Sequence, residues 1–89
     1  SDLHIACAIK YEAEKMESPK LVAKGTELFA KQIIEIAKYH GVPVIENPPV
    51  ARAVFRMVEV NSYIPPELYK AIAEILIFVY GLKKQKTQS

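Results

Sequence analysis

Apolar and small residues alternate with a period of two near the start of the chain. Between His4 and Tyr11 the odd-numbered positions form one row and the even-numbered positions form the other. Both rows are largely apolar or small, which is typical of a strand buried on both faces. The polar stretch EAEKMESPK follows and ends in a Ser-Pro turn. A second short strand is predicted at Lys20–Lys24, before Gly25 and Thr26 interrupt the pattern.

The next segment, ELFAKQIIEIAKYHG, changes from strand to helical spacing. Thr26 is a candidate N-cap for this helix, and Gly41 stands where a left-handed C-terminal cap is expected. Apolar side chains recur every three or four positions, and we expect them to form the face that packs on the core. These positions are Phe29, Ile33, Ile36 and Tyr39 or His40.

A third strand and two further helices complete the pattern. The strand VPVIE begins at Val42, with Pro43 at a position that strands tolerate. Asn47 is the candidate cap of the helix NPPVARAVFRMV, whose two prolines fall in the first turn. A second proline pair, followed by Glu67, precedes a long helix that is apolar almost all round and is predicted to close near Gly81.

The element order is therefore strand, strand, helix, strand, helix, helix. The unit from Leu21 through the first helix to Val44 predicts a right-handed crossover between parallel strands. The sequence predicts a small α/β domain, in which three to four helices pack around a small mixed sheet of three strands. We expect one domain over residues 1–84 and a flexible basic tail over residues 85–89.

Composition limits the classes of function. The chain has 89 residues, of which 51% are hydrophobic and 25% charged, and a formal net charge of +2. This charge is small and concentrated towards the C-terminal lysines, so nucleic acid is not an expected partner. The longest apolar stretch, Ala71–Leu82, is interrupted by Glu74 and is too short for a membrane span. The lone Cys7 excludes an internal disulfide and is predicted to be a core residue.

Catalytic and metal-binding patterns are missing from the sequence. His4 and His40 have no cysteine or aspartate at metal-ligand spacing, and the three glycines form no phosphate-binding loop. Glu12, Glu14 and Glu17 lie in a polar turn with nothing apolar around them to raise a pKa. We therefore predict no enzyme activity, no metal and no cofactor.

Three segments carry a resemblance to a known family: HIACAIKYEAEKMESPKLVAKG, IAKYHGVPVIENPPVARAVF and IPPELYKAIAEILIFVYGLK. From His4 to about Lys84 the chain resembles the C-terminal cytoplasmic domain of the FlhB/YscU family, the export-gate switch proteins of flagellar and injectisome type III secretion. The resemblance implies a non-enzymatic protein-binding module located in the cytoplasm, at the periphery of the inner-membrane export gate. The implied partners are export substrates, the length-control ruler and other export apparatus proteins.

The resemblance includes one departure from the family pattern. Family members cleave themselves in an Asn-Pro-Thr-His loop directly before the first strand described above, where the asparagine amide attacks its own carbonyl carbon. The four corresponding positions here are Ser1, Asp2, Leu3 and His4, so only the histidine of that loop remains. The chain is therefore predicted to be inert towards this self-cleavage.

The resemblance also implies a substrate-docking surface. Pro19, Ala73 and Leu76 match positions that form a shallow apolar patch in the family. Ala73 and Leu76 are neighbours on the last helix, at a spacing of three residues. Because that helix is apolar almost all round, the alternative that both residues are simply core stays open.

A last expectation concerns the strand His4–Tyr11, which in the family follows another strand. Without that preceding strand, one side of the strand His4–Tyr11 is expected to be unpaired. We expect the chain to add through this side onto a truncated or cleaved full-length FlhB-type protein and to replace the C-terminal half of that protein. Two alternatives are a cover formed by residues 1–3 and pairing with a second copy. The alternative to an export-related binding module is that the chain is a structural or regulatory paralogue, which keeps the fold but has lost its role in export.

Overall fold

The computed structural model describes residues 3–80, and within this range it confirms the predicted order of elements. The predicted end of the last helix near Gly81, the domain boundary at residue 84 and the basic tail lie outside the described residues. The elements are β1 (Ile5–Lys10), β2 (Lys20–Thr26), α1 (Glu27–His40), β3 (Val44–Ile45), α2 (Pro48–Met57), a single 3₁₀ turn (Pro66–Leu68) and α3 (Tyr69–Tyr80).

The three strands form one sheet in the order β2-β1-β3. β1 pairs with β2 along its whole length and with β3 through Cys7 and Ala8, and both ladders are antiparallel. β2 and β3 consequently run in the same direction, as the predicted crossover requires, but they are not neighbours because β1 lies between them. The two strands that run parallel in this small sheet, β2 and β3, are thus separated by β1.

β1 is the central strand, so the expectation that it leaves one side unpaired is wrong. The backbone N–H of Ile9 donates to the carbonyl oxygen of Pro43 at 3.1 Å, just before β3 begins. The segment leading into β3 therefore occupies the side of β1 that was expected to be unpaired. A central position also accounts for the burial of every residue from Ile5 to Ile9.

The sheet face towards α2 and α3 carries the large side chains and the main core. Ile5, Cys7 and Ile9 of β1 point to this face and pack with Leu21 of β2 and Ile45 of β3. Helix α2 contributes Ala51 and Val54, α3 contributes Ile72 and Leu76, and the segment between these helices contributes Val58 and Ile64.

The opposite face, towards α1, is built from small residues. Ala6 lies opposite Gly25, and Ala8 lies opposite Ala23, in the ladder between β1 and β2. A Cβ atom added at Gly25 would lie only 2.9 Å from the Cβ atom of Phe29 and 3.0 Å from Cδ1 of Ile33, so the first two turns of α1 lie very close to the end of β2.

This close approach overturns the predicted buried face of α1. The helix fully buries Ala30 and Ala37, whereas Ile33 of the predicted face is only half-buried. Phe29 is 68% exposed and Ile36 is 62% exposed, and Tyr39 is also exposed. Alanine side chains fit beneath a helix that lies so near the strands, whereas larger side chains are displaced to its flank.

The end of β2 that starts at Lys20 is covered on its outer side by the chain itself. Leu21 makes two backbone hydrogen bonds with residues 61–62. Its N–H donates to the carbonyl of Ser62 at 2.9 Å, and its carbonyl accepts from the N–H of Asn61 at 2.6 Å. Asn61 has a φ of 74°, a left-handed conformation that asparagine tolerates, and there the chain leaves the sheet edge. Beyond Leu21, no strand pairs with the outer side of β2 within residues 3–80.

The helix termini differ in how they are capped. The prediction for α2 is confirmed, because Asn47 Oδ1 accepts a hydrogen bond from the N–H of Val50 at 3.3 Å. Thr26 occupies the N-cap position of α1 but makes no side-chain capping hydrogen bond. Gly41 has a φ of 70° and closes α1 in the predicted left-handed conformation.

Candidate docking groove

The three site residues predicted from the sequence lie together in one groove of about 240 Å³. Leu76 is only 4% exposed and forms the floor, whereas Ala73 is exposed and Pro19 is half-buried. The alternative that both helix residues are simply core therefore holds only for Leu76, which belongs to the core and also lines the groove. Ala73 faces solvent. The structure brings the residues together, and their role in binding remains a prediction.

Pro19 is held at the groove by hydrogen bonds to the segment that precedes α3. Its carbonyl oxygen accepts from the backbone N–H of Ile64 at 2.8 Å. The hydroxyl of the buried Ser18 donates to the carbonyl oxygen of Ile64 at 3.1 Å. Proline has no N–H to leave unpaired at this entry to β2, so the ring can stand at the groove wall without cost to the ladder.

Helix α3 forms the other wall. Ile72 and Leu76, four residues apart, point into the core, and Ala73 is one position further round the helix. The small side chain of Ala73 leaves the space that a larger residue would fill. The 3₁₀ turn at Pro66–Leu68, in which Leu68 N–H donates to the Pro65 carbonyl at 3.0 Å, sets the direction in which α3 starts.

Five further lining residues were not predicted as site residues from the sequence: Tyr11, Glu17, Tyr69, Ile72 and Ile77. Tyr69 precedes Ala73 by four residues and Ile77 follows it by four, so helical spacing alone places both on the groove side of α3. Tyr11 continues the odd-numbered row of β1 that faces the core. Glu17 lies in the turn before β2, and no sequence pattern would have identified it.

Beyond Glu17 and Tyr69 the groove continues into a wider and more polar depression. Glu17 and Tyr69 line both the groove and this second depression, which also includes Lys15, Tyr63 and Pro66. An elongated segment with an apolar side chain in the groove would therefore meet polar side chains on this side.

Cys7 is buried in the core, as predicted. Burial raises the pKa of its thiol from 9.0 to about 11, and the positive charge of Lys24 opposes this shift. The Sγ atom lies 3.6 Å from the carbonyl oxygen of Ala51, a contact suited to a neutral thiol that donates weakly. A buried thiol of this kind is a poor nucleophile near neutral pH.

The four residues predicted to replace the cleavage loop are described only in part, because Ser1 and Asp2 lie outside residues 3–80. Leu3 is exposed, and His4 is held by its backbone: its N–H donates to Glu27 Oε2 at 3.0 Å, and its carbonyl accepts from the Glu27 N–H at 2.8 Å. The imidazole Nε2 of His4 lies 3.5 Å from Glu46 Oε1. His40 lies at the other end of α1, where its ring meets Tyr39 edge to face.

Among residues 3–80, no cluster of histidine, cysteine, aspartate and glutamate has the arrangement of a metal site. In the same range, no helix has both the length and the apolar character that crossing a bilayer requires.

These observations define a small α/β domain whose predicted site is a surface groove. The chain belongs to the FlhB HrpN YscU SpaS family, whose model matches residues 2–79, and the resemblance noted in its sequence is thereby confirmed. It is 46% identical over 82 residues to the flagellar biosynthetic protein FlhB of Bacillus subtilis (strain 168), covering 92% of this chain and 23% of that protein. With FlhB of Salmonella typhimurium it shares 47% identity over 81 residues, or 91% of this chain and 21% of that protein.

Solved structures agree with this assignment. The PscU C-terminal domain has a TM-score of 0.76 and 36% identity, covering 85% of this chain and 96% of that one. A mutated EscU/SpaS C-terminal domain has a TM-score of 0.77 and 26% identity, covering 89% of this chain and 98% of that one. The chain thus spans less than a quarter of the length of the FlhB relatives and nearly all of these separate domains.

Proposed function

We propose that the chain acts as a non-enzymatic protein-binding module of the bacterial flagellar or type III protein export apparatus, on its cytoplasmic side. Family membership supports the setting, since the FlhB relatives are flagellar biosynthetic proteins. The single observation that carries a binding role is the groove in which Pro19, Ala73 and Leu76 come together. Its occupant is an apolar segment of an export substrate or of another apparatus protein.

The shape and chemistry of the groove support this occupant. Its volume of about 240 Å³ is small for a cofactor and suits one or two apolar side chains. The floor is aliphatic, and the phenol rings of Tyr11 and Tyr69 provide apolar area with a polar tip at the rim. Such a site binds through burial of an anchor side chain, with the rim setting its orientation.

The proposal excludes self-cleavage by this chain. The only Asn-Pro pair in the sequence is Asn47-Pro48, and the side chain of Asn47 caps α2 by accepting from Val50. We expect a single intact mass after days at neutral pH. A defined cut next to His4 would overturn this part of the proposal.

A substitution in the groove tests the binding role. Ala73→Glu places a carboxylate over the apolar floor, and because Ala73 is exposed the chain should still fold. Phe78→Glu is the matched control: it adds the same charge to the same helix at a residue that is 88% exposed and outside the groove lining. Affinity for a purified export substrate, measured by calorimetry, should fall at least about tenfold for Ala73→Glu alone.

The result also separates the proposal from its alternative. If the unaltered chain binds neither export substrates nor apparatus proteins, it is a structural or regulatory paralogue that retains only the fold. Equal affinity of the Ala73→Glu and Phe78→Glu variants, with both folded, would show that binding occurs away from this groove.

A truncated or cleaved full-length FlhB-type protein is a further proposed partner, whose C-terminal half the chain would replace. The similarity to about a quarter of FlhB supports this idea, but the pairing originally expected through the edge of β1 is not available. The test expresses the chain in cells whose FlhB ends just after its cleavage asparagine. Absence of both secretion and a complex with that truncated protein would contradict it.

A further inference from the structure

The face of α1 that the core leaves exposed forms a second apolar surface, remote from the groove just described. Phe29 and Ile36 stand on the same flank of the helix, seven residues apart, and Ile33 lies between them and the sheet. The opposite flank of α1 carries charged side chains, including Lys31 and Lys38. Leu28 and Tyr39, on the outward side of the helix, are exposed as well, and contiguous exposed apolar area of this kind marks an interaction surface.

A groove of about 200 Å³ separates this flank from the sheet. Ile33 and Ile36 line it from the helix, and Ala8, Val22 and Ala23 line it from the strands. It is almost wholly apolar. The surface formed by this groove and by Phe29 is called the α1 flank below.

The free part of the β2 edge runs alongside the α1 flank. Helix α1 lies over both β1 and β2, so a strand added outside β2 would place every second side chain beside the flank. The chain covers the outer side of β2 only as far as Leu21 and turns away at Asn61. Residues 22–26 have no strand on that side among the described residues.

The charges next to this edge are positive. Lys10 and Lys20 lie directly opposite each other in the ladder, and both line a depression that shares Val22 with the apolar groove. Neither forms an ion pair with a carboxylate among residues 3–80, and the Nζ of Lys20 lies 5.2 Å from the centre of the Tyr63 ring. Like charges placed opposite each other destabilise a sheet slightly unless a counter-charge joins them.

The same charges argue against a second copy of this chain. The sequence of β2, KLVAKGT, has two lysines and no acidic residue. Antiparallel pairing of two β2 edges would bring lysines against lysines. A segment with carboxylates is the partner that these charges fit.

We propose that an extended, acidic segment of another protein adds as a fourth strand to residues 22–26 of β2. Its apolar side chains contact the α1 flank, and carboxylates on the same face, at the end next to Val22, meet Lys20 and Lys10. The backbone of β2 supplies the affinity of strand addition, while the flank and the lysines select the sequence.

The test uses two synthetic peptides and the isotope-labelled chain. One peptide has, at alternate positions on one face, a run of valines followed by glutamates that would lie beside Lys20 and Lys10, and the other has lysine in place of each glutamate. In NMR titrations, the acidic peptide should shift the amide signals of residues 22–26 and of the α1 flank in a saturable way, and salt should weaken its binding. The basic peptide should bind at least about tenfold more weakly.

Two variants with the same change in charge complete the design. Ile36→Glu puts a negative charge on the flank at an exposed position and should abolish the preference for the acidic peptide. Lys31→Gln removes one positive charge from the opposite flank of α1 and should leave that preference intact. Both sites are exposed, so both variants should fold.

Several results would overturn the proposal. These are equal affinity for the two peptides, shifts confined to the groove at Pro19, or no saturable binding of the acidic peptide. Self-association of the free chain that Ile36→Glu removes would assign the surface to a second copy. Binding to anionic lipid vesicles that Ile36→Glu removes, without any peptide preference, would assign it to a membrane surface.

Discussion

The two faces of the sheet pack against their helices with side chains of different size. Towards α2 and α3, large side chains such as Ile9, Leu21 and Ile72 fill the space between sheet and helices. Towards α1, alanine and glycine let the helix lie almost on the strands, and the large side chains of that helix stay outside. One face gains stability from buried volume and the other from close approach, so the two faces should respond differently to the same kind of substitution.

The largest expected effect is a truncation on the large-residue face. Ile72→Ala removes a fully buried side chain from the core and should lower the free energy of unfolding by about 2 to 5 kcal/mol. Phe29→Ala removes even more atoms on the α1 side but, since Phe29 is mostly exposed, should change it by about 0.5 kcal/mol or less. Urea unfolding of both variants measures the contrast, and equal losses would contradict it.

Raising the pH should act on the large-residue face through Cys7. The folded state raises the pKa of this thiol from 9.0 to about 11, so the neutral thiol contributes stability that is complete below about pH 9. That contribution, on the order of 2 kcal/mol, is lost as the pH rises towards 11. Unfolding measured across this range should show a slope that is smaller in Cys7→Ala, and an unchanged slope would refute this role.

Adding a single methyl group probes the small-residue face. In Gly25→Ala the new Cβ would meet Phe29 Cβ at 2.9 Å and Ile33 Cδ1 at 3.0 Å, so α1 must shift away from the sheet. We expect a loss of about 1 to 2 kcal/mol. Gly41→Ala is the comparison: its added Cβ would touch nothing within 4 Å, but its φ of 70° imposes backbone strain instead of a clash. Only Gly25→Ala should disturb the NMR signals of β1 and β2.

The helix caps offer the smallest contrast. Asn47→Ala removes the hydrogen bond to the Val50 N–H at the start of α2 and should cost about 1 kcal/mol. Thr26→Ala removes a side chain that makes no capping hydrogen bond at the start of α1, and it should cost only a few tenths of a kcal/mol. Thermal unfolding of the two variants checks this order, and a reversed order would contradict it.

The sequence predicted the large-residue face better than the small-residue one. Alternation in β1 and the caps at Asn47 and Gly41 are local signals, and the structure confirms them. The buried face of α1 was wrong because hydrophobic periodicity favours Phe29 and Ile36, whereas the distance between helix and sheet selects alanine. That distance is a property of the packed structure, and within the helix sequence only the spacing of Ala30 and Ala37 by seven residues reflects it.

The groove shows the same limit. Pro19, Ala73 and Leu76 were grouped through family resemblance, and the structure brings them together. Tyr69 could have been predicted from helical spacing, because it precedes Ala73 by four residues. Glu17 and the central position of β1 depend on how distant segments meet, which periodicity does not encode.

The central position of β1 has a consequence for how the chain folds. β1 is the first strand in the sequence and the middle strand in the sheet. Its ladder with β2 joins residues as close as Lys10 and Lys20, whereas its ladder with β3 joins Cys7 to Ile45. The shorter loop costs less entropy to close, so the hairpin of β1 and β2 forms first. The pairing of β1 with β3 can follow only after α1 has been synthesised, so the edge of β1 that β3 occupies gains this partner last.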